Sequence, residues 1–240
     1  MAGKGGSNRM KRKSAPKLWD IMRKEGKFIY KPIPGPHPAE RSYPLGVVVR
    51  DLLELTKNSK ETRYVLKKGF VFVDGKVRKE SSFPVGLFDV ISIPSEDIFF
   101  RLVPSSKGLE LVRISKEEAG LKICRVDVKV LTKGGKAQYG THDGRSFLDG
   151  SYKLRPGDSI LAEIPEQKIV DTVELQSGSL CIVISGERAG QIGKVIDVKS
   201  GTMTREKMVR VKLPSGETEI PARLVLAVGR DKPLISVGVS

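Results

Sequence analysis

VISGERAGQIGKVIDV, residues 183–198, places three glycines in an otherwise strand-like run of valines and isoleucines. Gly186, Gly190 and Gly193 lie within eight residues. This density is typical of a shaped loop, because glycine fits where φ is positive or where another backbone approaches closely. The stretch lacks the glycine spacing and the Ser or Thr of a Walker phosphate-binding loop. It therefore predicts two strands joined by a glycine-shaped loop.

The segments around this loop predict a chain that is almost wholly β-sheet beyond Pro94. Residues 178–240 contain five short runs, LCIVI, GKVIDV, MVRVKL, GETEIP and RLVLAV, which predict a small barrel of the Src-homology type. Upstream, runs such as LELVRI, ICRVDVKVL and SILAEI are separated by Gly-Gly, Asp-Gly and Pro-Gly-Asp turn signals. Turn signals at this frequency are typical of small barrels or sandwiches.

The part of the chain before these strands predicts two helices followed by a hairpin. Apolar residues recur at three- and four-residue steps over Ser42–Thr56, which predicts one helix. A second helix is predicted over Ser59–Lys68, because Asn58 and Glu61 match a capping box. The Asp-Gly pair at 74–75 then divides the alternating sequence FVFVDGKVRK, as in a tight hairpin.

The charge of the chain is strongly positive and is concentrated at its beginning. The 240 residues include 43 Lys and Arg against 28 Asp and Glu, a formal net charge of +15. Residues 1–31 alone carry ten basic and two acidic side chains. Such a block repels itself, so we expect an extended arm that orders on an anionic surface, with nucleic acid as the first candidate.

Membrane, metal and catalytic functions are not expected from the sequence. No apolar run approaches the roughly 20 residues that span a bilayer, and MAGKGGSNRMKRK lacks the apolar core of a signal peptide. Cys124 and Cys181 are expected to be buried thiols, and two Cys and two His give no zinc spacing. The motif Thr141–Arg145, THDGR, is interpreted as a turn or an RNA contact, since Asp-Gly favours a turn. We expect no catalytic residue, cofactor, metal or small-molecule substrate.

The candidate RNA-binding residues are mostly cations near aromatic side chains or glycines. Aromatic faces can stack on unpaired bases, and cations bind phosphate. Lys60 and Arg63 lie at the positive end of their predicted helix, which favours an external anion. We expect Arg12→Ala to weaken binding without changing the fold. The candidates are Lys11, Arg12, Lys13, Lys17 and Trp19 in the arm, Lys57, Lys60, Arg63, Lys67, Lys68, Lys76 and Arg78 around the hairpin, and Arg188, Gly190 and Lys194 at the glycine loop.

Two of these regions resemble known RNA-binding units. The spacing of glycines and apolar residues over 183–196 resembles the KOW motif of ribosomal proteins and transcription elongation factors. Residues 44–93 resemble the RNA-binding domain named after small-subunit ribosomal protein four, with NSKE, KKG and VDGK at its signature positions. The sequence VGLFD departs from that pattern, because many such domains place Gly directly before Asp.

The order of the segments resembles one family from end to end, the archaeal and eukaryotic small-subunit ribosomal protein of type four-e. A basic SAPKLW arm and a PGPH connector precede the domain, and a β-rich centre with THDGR and a KOW unit follow it. The resemblance implies a structural constituent of the small ribosomal subunit, in cytoplasmic ribosomes, that binds rRNA and neighbouring ribosomal proteins in translation. It implies an α+β, mainly β chain with an arm over 1–41, a helix-helix-hairpin domain over 42–104, a β-rich central domain over 105–177 and an SH3-like KOW barrel over 178–240.

Two alternatives from other classes stay open at this point. A transcription elongation factor can carry a KOW unit, although it would usually place a polymerase-binding domain before it. An RNA-modifying pseudouridine synthase can carry the same RNA-binding domain, but it needs an Arg-Leu-Asp triplet that this chain lacks.

Overall fold

The computed structural model describes residue 7 and residues 9–133, 135–149 and 153–238. Up to residue 113 these contain nine strands and two helical segments, and α1 continues as a π-helix over Val48–Leu52. In chain order the elements are β1 (Met10–Lys11), β2 (Phe28–Ile29), β3 (Ser42–Pro44), α1 (Leu45–Val47), α2 (Ser59–Lys68), β4 (Phe72–Val73), β5 (Lys76–Val77), β6 (Pro84–Gly86), β7 (Val90–Ile93), β8 (Ile98–Ser105) and β9 (Gly108–Arg113).

The remaining described residues form ten further strands, so the chain is mainly β with few helices. These are β10 (Leu121–Leu131), β11 (Ala137–Thr141), β12 (Ser146–Asp149), β13 (Ser159–Glu163), β14 (Lys168–Val173), β15 (Leu180–Val183), β16 (Ile192–Lys199), β17 (Met208–Leu213), β18 (Gly216–Pro221) and β19 (Val225–Gly229). Short 3-10 turns cover Arg12–Ser14, Ala39–Arg41, Pro94–Glu96, Glu118–Gly120 and Ala222–Leu224.

Three five-stranded antiparallel sheets dominate the described residues. Their strand orders are β5-β4-β7-β8-β9, β12-β11-β10-β13-β14 and β18-β17-β16-β15-β19. Two short pairs, β1-β2 and β3-β6, add to them. The first sheet continues across residue 104, where the sequence places a domain boundary, because β9 pairs with β8 over its whole length. The division into four domains stays a prediction.

One apolar core cluster joins all three large sheets. Val103 comes from the first sheet and Phe88 from the turn before its strand β7, Ile123 from the second sheet, and Ile182 and Leu226 from the third. All five side chains are 0 % exposed. Burial of an aliphatic or aromatic side chain of this size contributes about 1.5–3 kcal/mol. The sheets therefore pack against one another through a shared apolar interior.

The first helix is shorter than the sequence predicts. The prediction of a helix over Ser42–Thr56 is wrong at both ends. At its start β3 pairs with β6 as a strand, and near its end Glu54 has a φ of 51°. A left-handed residue cannot continue a right-handed helix. Leu45, Val48 and Val49 form the buried face, whereas Leu55 lies past the helix and is 40 % exposed.

The second helix and the hairpin are present where the sequence predicts them. Asn58 Oδ1 accepts hydrogen bonds from the N–H groups of Lys60 and Glu61 at 2.9 and 3.0 Å. The carboxylate of Glu61 reaches back one residue further than in a standard capping box, to the N–H of Lys57 at 2.9 Å. Asp74 and Gly75 have φ values of 50° and 72°, as a tight turn between β4 and β5 requires.

A buried ionic cluster joins the first two large sheets. Lys122, on β10, lies 2.8 Å from a carboxylate oxygen of Asp74, 2.5 Å from Asp89 and 3.0 Å from Asp143. All four residues are buried, at 0 to 6 % exposure. Asp74 and Asp89 precede strands of the first sheet, while Asp143 lies in the turn between β11 and β12. The cluster is therefore a contact between sheets rather than within one.

Two further side chains extend this cluster. Arg145 Nη2 lies 2.5 Å from Asp74, and His37 Nε2 lies 3.0 Å from Asp89. Burial opposes ionisation of Asp89, but His37 and Lys122 outweigh it and hold the pKa of Asp89 below its usual value. Burial is likewise outweighed at Asp143, where Lys122 and His142 lower the pKa. Asp89 and Asp143 are thus charged at neutral pH with Lys122 fixed beside both, whereas burial raises the pKa of Asp74 although Lys122 and Arg145 oppose it.

We predict that Lys122→Met strongly destabilises the fold. Removing one partner of a buried ionic cluster leaves the other charges uncompensated, which costs about 3–5 kcal/mol. The measurement is the free energy of unfolding from urea titration at pH 7. Lys168→Met is the matched control, since Lys168 is exposed on β14 of the same sheet. Equal midpoints for the two variants would contradict the role given to Lys122.

A second prediction concerns pH. Burial lowers the pKa of His142 to about 4, and Lys122, His37 and Arg125 add to this effect while Asp143 opposes it. The unfolded chain, with a His pKa near 6.5, takes up a proton that the folded chain does not. The free energy of unfolding should therefore fall as pH drops from about 6.5 to about 4, by at most about 3 kcal/mol.

The matched variant for this test is His142→Asn. His142 Nδ1 accepts the N–H of Arg125 at 3.1 Å, and an Asn side-chain oxygen can accept the same bond without titrating. Denaturation midpoints of both proteins between pH 4.5 and 7 are compared. The variant should show the shallower pH dependence, and parallel curves would exclude His142 as the titrating group.

Candidate nucleic-acid interface

The exposed face of α2 brings three predicted cations together. Thr62 and Leu66 point inward and are fully buried, so the opposite side of the helix faces solvent. Lys60, Arg63 and Lys67 lie on that side at helical spacing and are all exposed. Among the described residues none of the three forms an ion pair. A row of cations without internal acidic partners can bind an external polyanion.

An exposed aromatic side chain lies among these cations. Tyr64 is 61 % exposed, and Lys68 Nζ lies 5.4 Å from the centre of its ring. Phe70 follows the helix and is 47 % exposed. Sequence reasoning considered only the arm's aromatic residues and missed Tyr64. Its position one turn from Lys60 and beside Arg63 was the available signal, because an aromatic residue on the polar face of a helix has no core to fill.

The hairpin continues this surface. The N–H of Arg78 donates to the carbonyl of Val71 at 3.2 Å, which ties the strand after the turn to the segment leaving α2. Lys76, on β5, is exposed, as is Lys57 just before the helix cap. Arg78 is only half-buried, and its guanidinium lies 4.3 Å from the centre of the Phe83 ring. We call the exposed side chains Lys60, Arg63, Tyr64, Lys67, Lys68 and Lys76 the α2 surface.

The glycine loop is shaped by protein contacts rather than left open. Gly190 has a φ of 84°, and a Cβ atom there would lie 2.6 Å from the carbonyl oxygen of Pro104. The close approach at Gly190 is therefore to β8 of the first sheet, and the contact of the loop backbone with RNA stays a prediction. Arg188 donates to the Thr218 hydroxyl at 2.5 Å and is half-buried.

Lys194 belongs to a pair of like charges that the sequence did not reveal. It lies directly opposite Lys212 in the register of β16 and β17, and both side chains are exposed. Like charges at directly opposed positions destabilise a sheet. Lys212 is therefore a further candidate for anion binding, found only through the strand register.

The N-terminal arm packs against the rest of the chain, because Ala15, Trp19 and Ile29 are buried in the same apolar cluster as Leu45. β1 pairs with β2, and Tyr43 donates to the carbonyl of Leu18 at 3.0 Å. Trp19 is 3 % exposed, with its ring centre 5.6 Å from that of Tyr43. The expectation of an unpacked arm is wrong, because the charge count did not include the apolar residues that anchor it.

Two of the predicted arm residues are thereby removed from the interface. Trp19 has no exposed face on which a base could stack. Arg12 is 6 % exposed at its side chain, and its Nη2 lies 3.0 Å from Asp51 and 3.4 Å from Glu25. Lys11, Lys13 and Lys17 remain exposed.

Comparison with known proteins places the chain in a family. The model of the Ribosomal family S4e matches residues 96–169, and that of the RS4NT (NUC023) domain matches residues 4–40. Small ribosomal subunit protein eS4 from Ignicoccus hospitalis is 39 % identical, covering 97 % of this chain and 96 % of that protein. The chain belongs to the S4e family of ribosomal proteins.

Other members of the S4e family agree in length and fold. The eS4 protein of Methanocella arvoryzae is 39 % identical over 95 % of this chain and 97 % of its own. The crystal structure of 30S ribosomal protein S4e from Thermoplasma acidophilum superimposes with a TM-score of 0.69 at 29 % identity, covering 80 % of this chain and 96 % of that one. The β-rich architecture is shared with that structure.

The family is one of ribosomal structural proteins and not of enzymes. Within the described residues, no group of three or more His, Cys, Asp or Glu side chains is arranged to hold a metal ion. No helix among them is long and apolar enough to cross a membrane. Cys124 and Cys181 are both buried, as the sequence predicts.

We predict that Arg12→Ala lowers stability, in contrast to the expectation from sequence. The variant removes the buried partner of Asp51, and changes of this kind typically cost about 1–3 kcal/mol. Lys13→Ala is the neighbouring control, because Lys13 is exposed and should change stability by less than about 0.5 kcal/mol. Thermal denaturation of both variants tests this. Equal melting temperatures would mean that the arm contributes no folding energy through Arg12.

Proposed function

We propose that the chain is an rRNA-binding structural constituent of the small ribosomal subunit, acting in translation in cytoplasmic ribosomes. The observation that carries the proposal is the α2 surface, a row of exposed cations without acidic partners that surrounds an exposed tyrosine. Family membership supports it, since the relatives are named small ribosomal subunit proteins. Neighbouring ribosomal proteins are the second expected class of partner.

The proposed binding mode is chiefly electrostatic. A-form RNA hides its base edges in a deep, narrow groove, so a scaffold protein contacts phosphates and shape. Lysines act as mobile point charges, whereas Arg63 can grip a phosphate with two hydrogen bonds. Tyr64 is placed to stack on an unpaired base between these charges. The remaining predicted contacts are Lys11, Lys13, Lys17, Lys57 and Arg78.

The C-terminal sheet is proposed to act as a KOW unit of SH3-like type. Its five strands in the order β18-β17-β16-β15-β19 support this assignment. Arg188 and the opposed pair Lys194 and Lys212 are its proposed phosphate contacts. The four-part division at residues 41, 104 and 177 is retained as part of the proposal.

An elongation factor and an RNA-modifying enzyme are not favoured by the S4e family membership. Co-sedimentation separates the first of these from a ribosomal constituent. A constituent should remain on purified small subunits at moderately high salt, whereas a factor should be washed off. Loss from the particle at moderate salt would count against the proposal.

The direct test neutralises the α2 surface. A triple variant with Lys60, Arg63 and Lys67 replaced by Gln should bind small-subunit rRNA more weakly, with the slope of log K against log salt reduced by about two to three units. The control replaces Lys116, Lys168 and Lys232 by Gln, which removes the same charge from exposed positions elsewhere. Affinity is measured by filter binding between about 50 and 300 mM salt, because contacts to phosphate weaken over this range. Identical slopes for the two triple variants would show that the α2 surface does not contact the rRNA.

A further inference from the structure

A cavity lies where three motifs that are distant in sequence meet. Its volume is about 240 Å³, and its walls include His37 of the PGPH connector, His142 of the THDGR motif and Gly186 of the glycine loop. The rings of His37 and His142 have their centres 6.1 Å apart. This volume is several times that of one water molecule, about 30 Å³ in the liquid. The cavity is therefore large enough for a ring-sized group.

The walls combine apolar surface with a cationic mouth. Leu87 before β7, Leu109 on β9 and Ile184 just after β15 supply aliphatic surface. Arg41 also lines it, and its exposed guanidinium has no ion-pair partner among the described residues. Asp127 is the carboxylate on the wall, and its oxygen already lies 2.8 Å from Arg125 Nε. The charge that lacks an ion-pair partner among these wall residues is therefore the positive charge of Arg41.

One wall residue carries a hydrogen-bond donor without an acceptor. His142 Nδ1 accepts the N–H of Arg125 at 3.1 Å, so the proton of the neutral ring is on Nε2. Nε2 is buried and has no partner among the described residues. A buried donor left unpaired costs about 1–3 kcal/mol, so such groups usually meet an acceptor from a ligand, a water or a partner. With a pKa lowered to about 4, the ring is neutral at physiological pH.

We infer that this cavity receives one unpaired base of the rRNA, with the adjoining phosphate on Arg41. The inference rests on the proposed function and adds a base-specific contact to the phosphate contacts of the α2 surface. A base fits the observations because its flat faces suit the aliphatic walls and its adjoining phosphate can pair with Arg41. An apolar protein side chain would satisfy the walls but would itself leave Arg41 without an anion.

The test blocks the cavity with a large side chain at an exposed lining position. Ser106 is exposed and lines the cavity, whereas Lys107 is its exposed neighbour in the β8–β9 turn and does not line it. Ser106→Trp and Lys107→Trp are compared with the unaltered full chain, each bound to small-subunit rRNA. Chemical probing of the Watson–Crick edges of the bases is the readout, and circular dichroism checks that each variant is folded.

We expect the unaltered chain and Lys107→Trp to protect one unpaired base that Ser106→Trp leaves reactive. The rRNA affinity of Ser106→Trp should fall only about five- to tenfold, the lower range for losing one stacked base. If Ser106→Trp does not fold, Arg41→Gln provides the second test. It should weaken protection of the same base, and Arg113→Gln, at an exposed arginine away from the cavity, should not.

Three outcomes would overturn the inference, and they are distinguishable. Identical base protection by all variants would mean that no base enters the cavity. Unchanged rRNA protection, combined with loss of a neighbouring protein from particles assembled with Ser106→Trp, would assign the cavity to a protein side chain. Failure of the unaltered chain to bind rRNA at all would overturn the proposed function itself.

Discussion

The buried contact between Lys122 and three aspartates is the constraint on which the arrangement of the sheets depends. Asp74 also accepts the N–H of Val90 at 2.9 Å, and Asp89 accepts that of Gly86 at 2.8 Å. Asp89 thus fixes its own turn and Asp74 holds the hairpin turn to the start of β7, while both pair with Lys122 on the second sheet. Charges taken out of water are costly unless they are paired and hydrogen-bonded. The two sheets can therefore satisfy these charges only in one relative position.

Positive charge has two separate roles in this protein. Cations that point inward are neutralised by acids of the same chain, as Lys122 is by aspartates and Arg101 by Glu118 at 2.9 Å. Cations that point outward along α2 have no such partners in the described residues. The surplus of +15 is thus displayed at the surface, where a polyanion can neutralise it. An S4e family chain with paired charges inside and exposed cations outside suits a particle built on RNA.

Much of the candidate interface could be anticipated from residue type. Which residues actually belong to it depended on their burial and on the register of the strands. The α2 cations were recognisable because a capped, amphipathic helix shows its polar face in its periodicity. The sequence alone could not exclude Arg12 and Trp19 from the interface, because their partners Asp51 and Tyr43 lie about 39 and 24 positions away. Lys212 could not be found, because strand pairing sets which residues lie opposite one another.

The sequence by itself determined the β-rich fold, the α2 cap, the hairpin turn and the cationic character. These depend on residues within a few positions of one another, where propensity, spacing and turn chemistry act directly. Only the tertiary structure decided that THDGR and PGPH meet at one ionic cluster and one cavity, and that Gly190 serves a contact with β8. Those contacts join residues far apart in the chain, and their energy comes from burial and charge pairing that exist only once the sheets have packed.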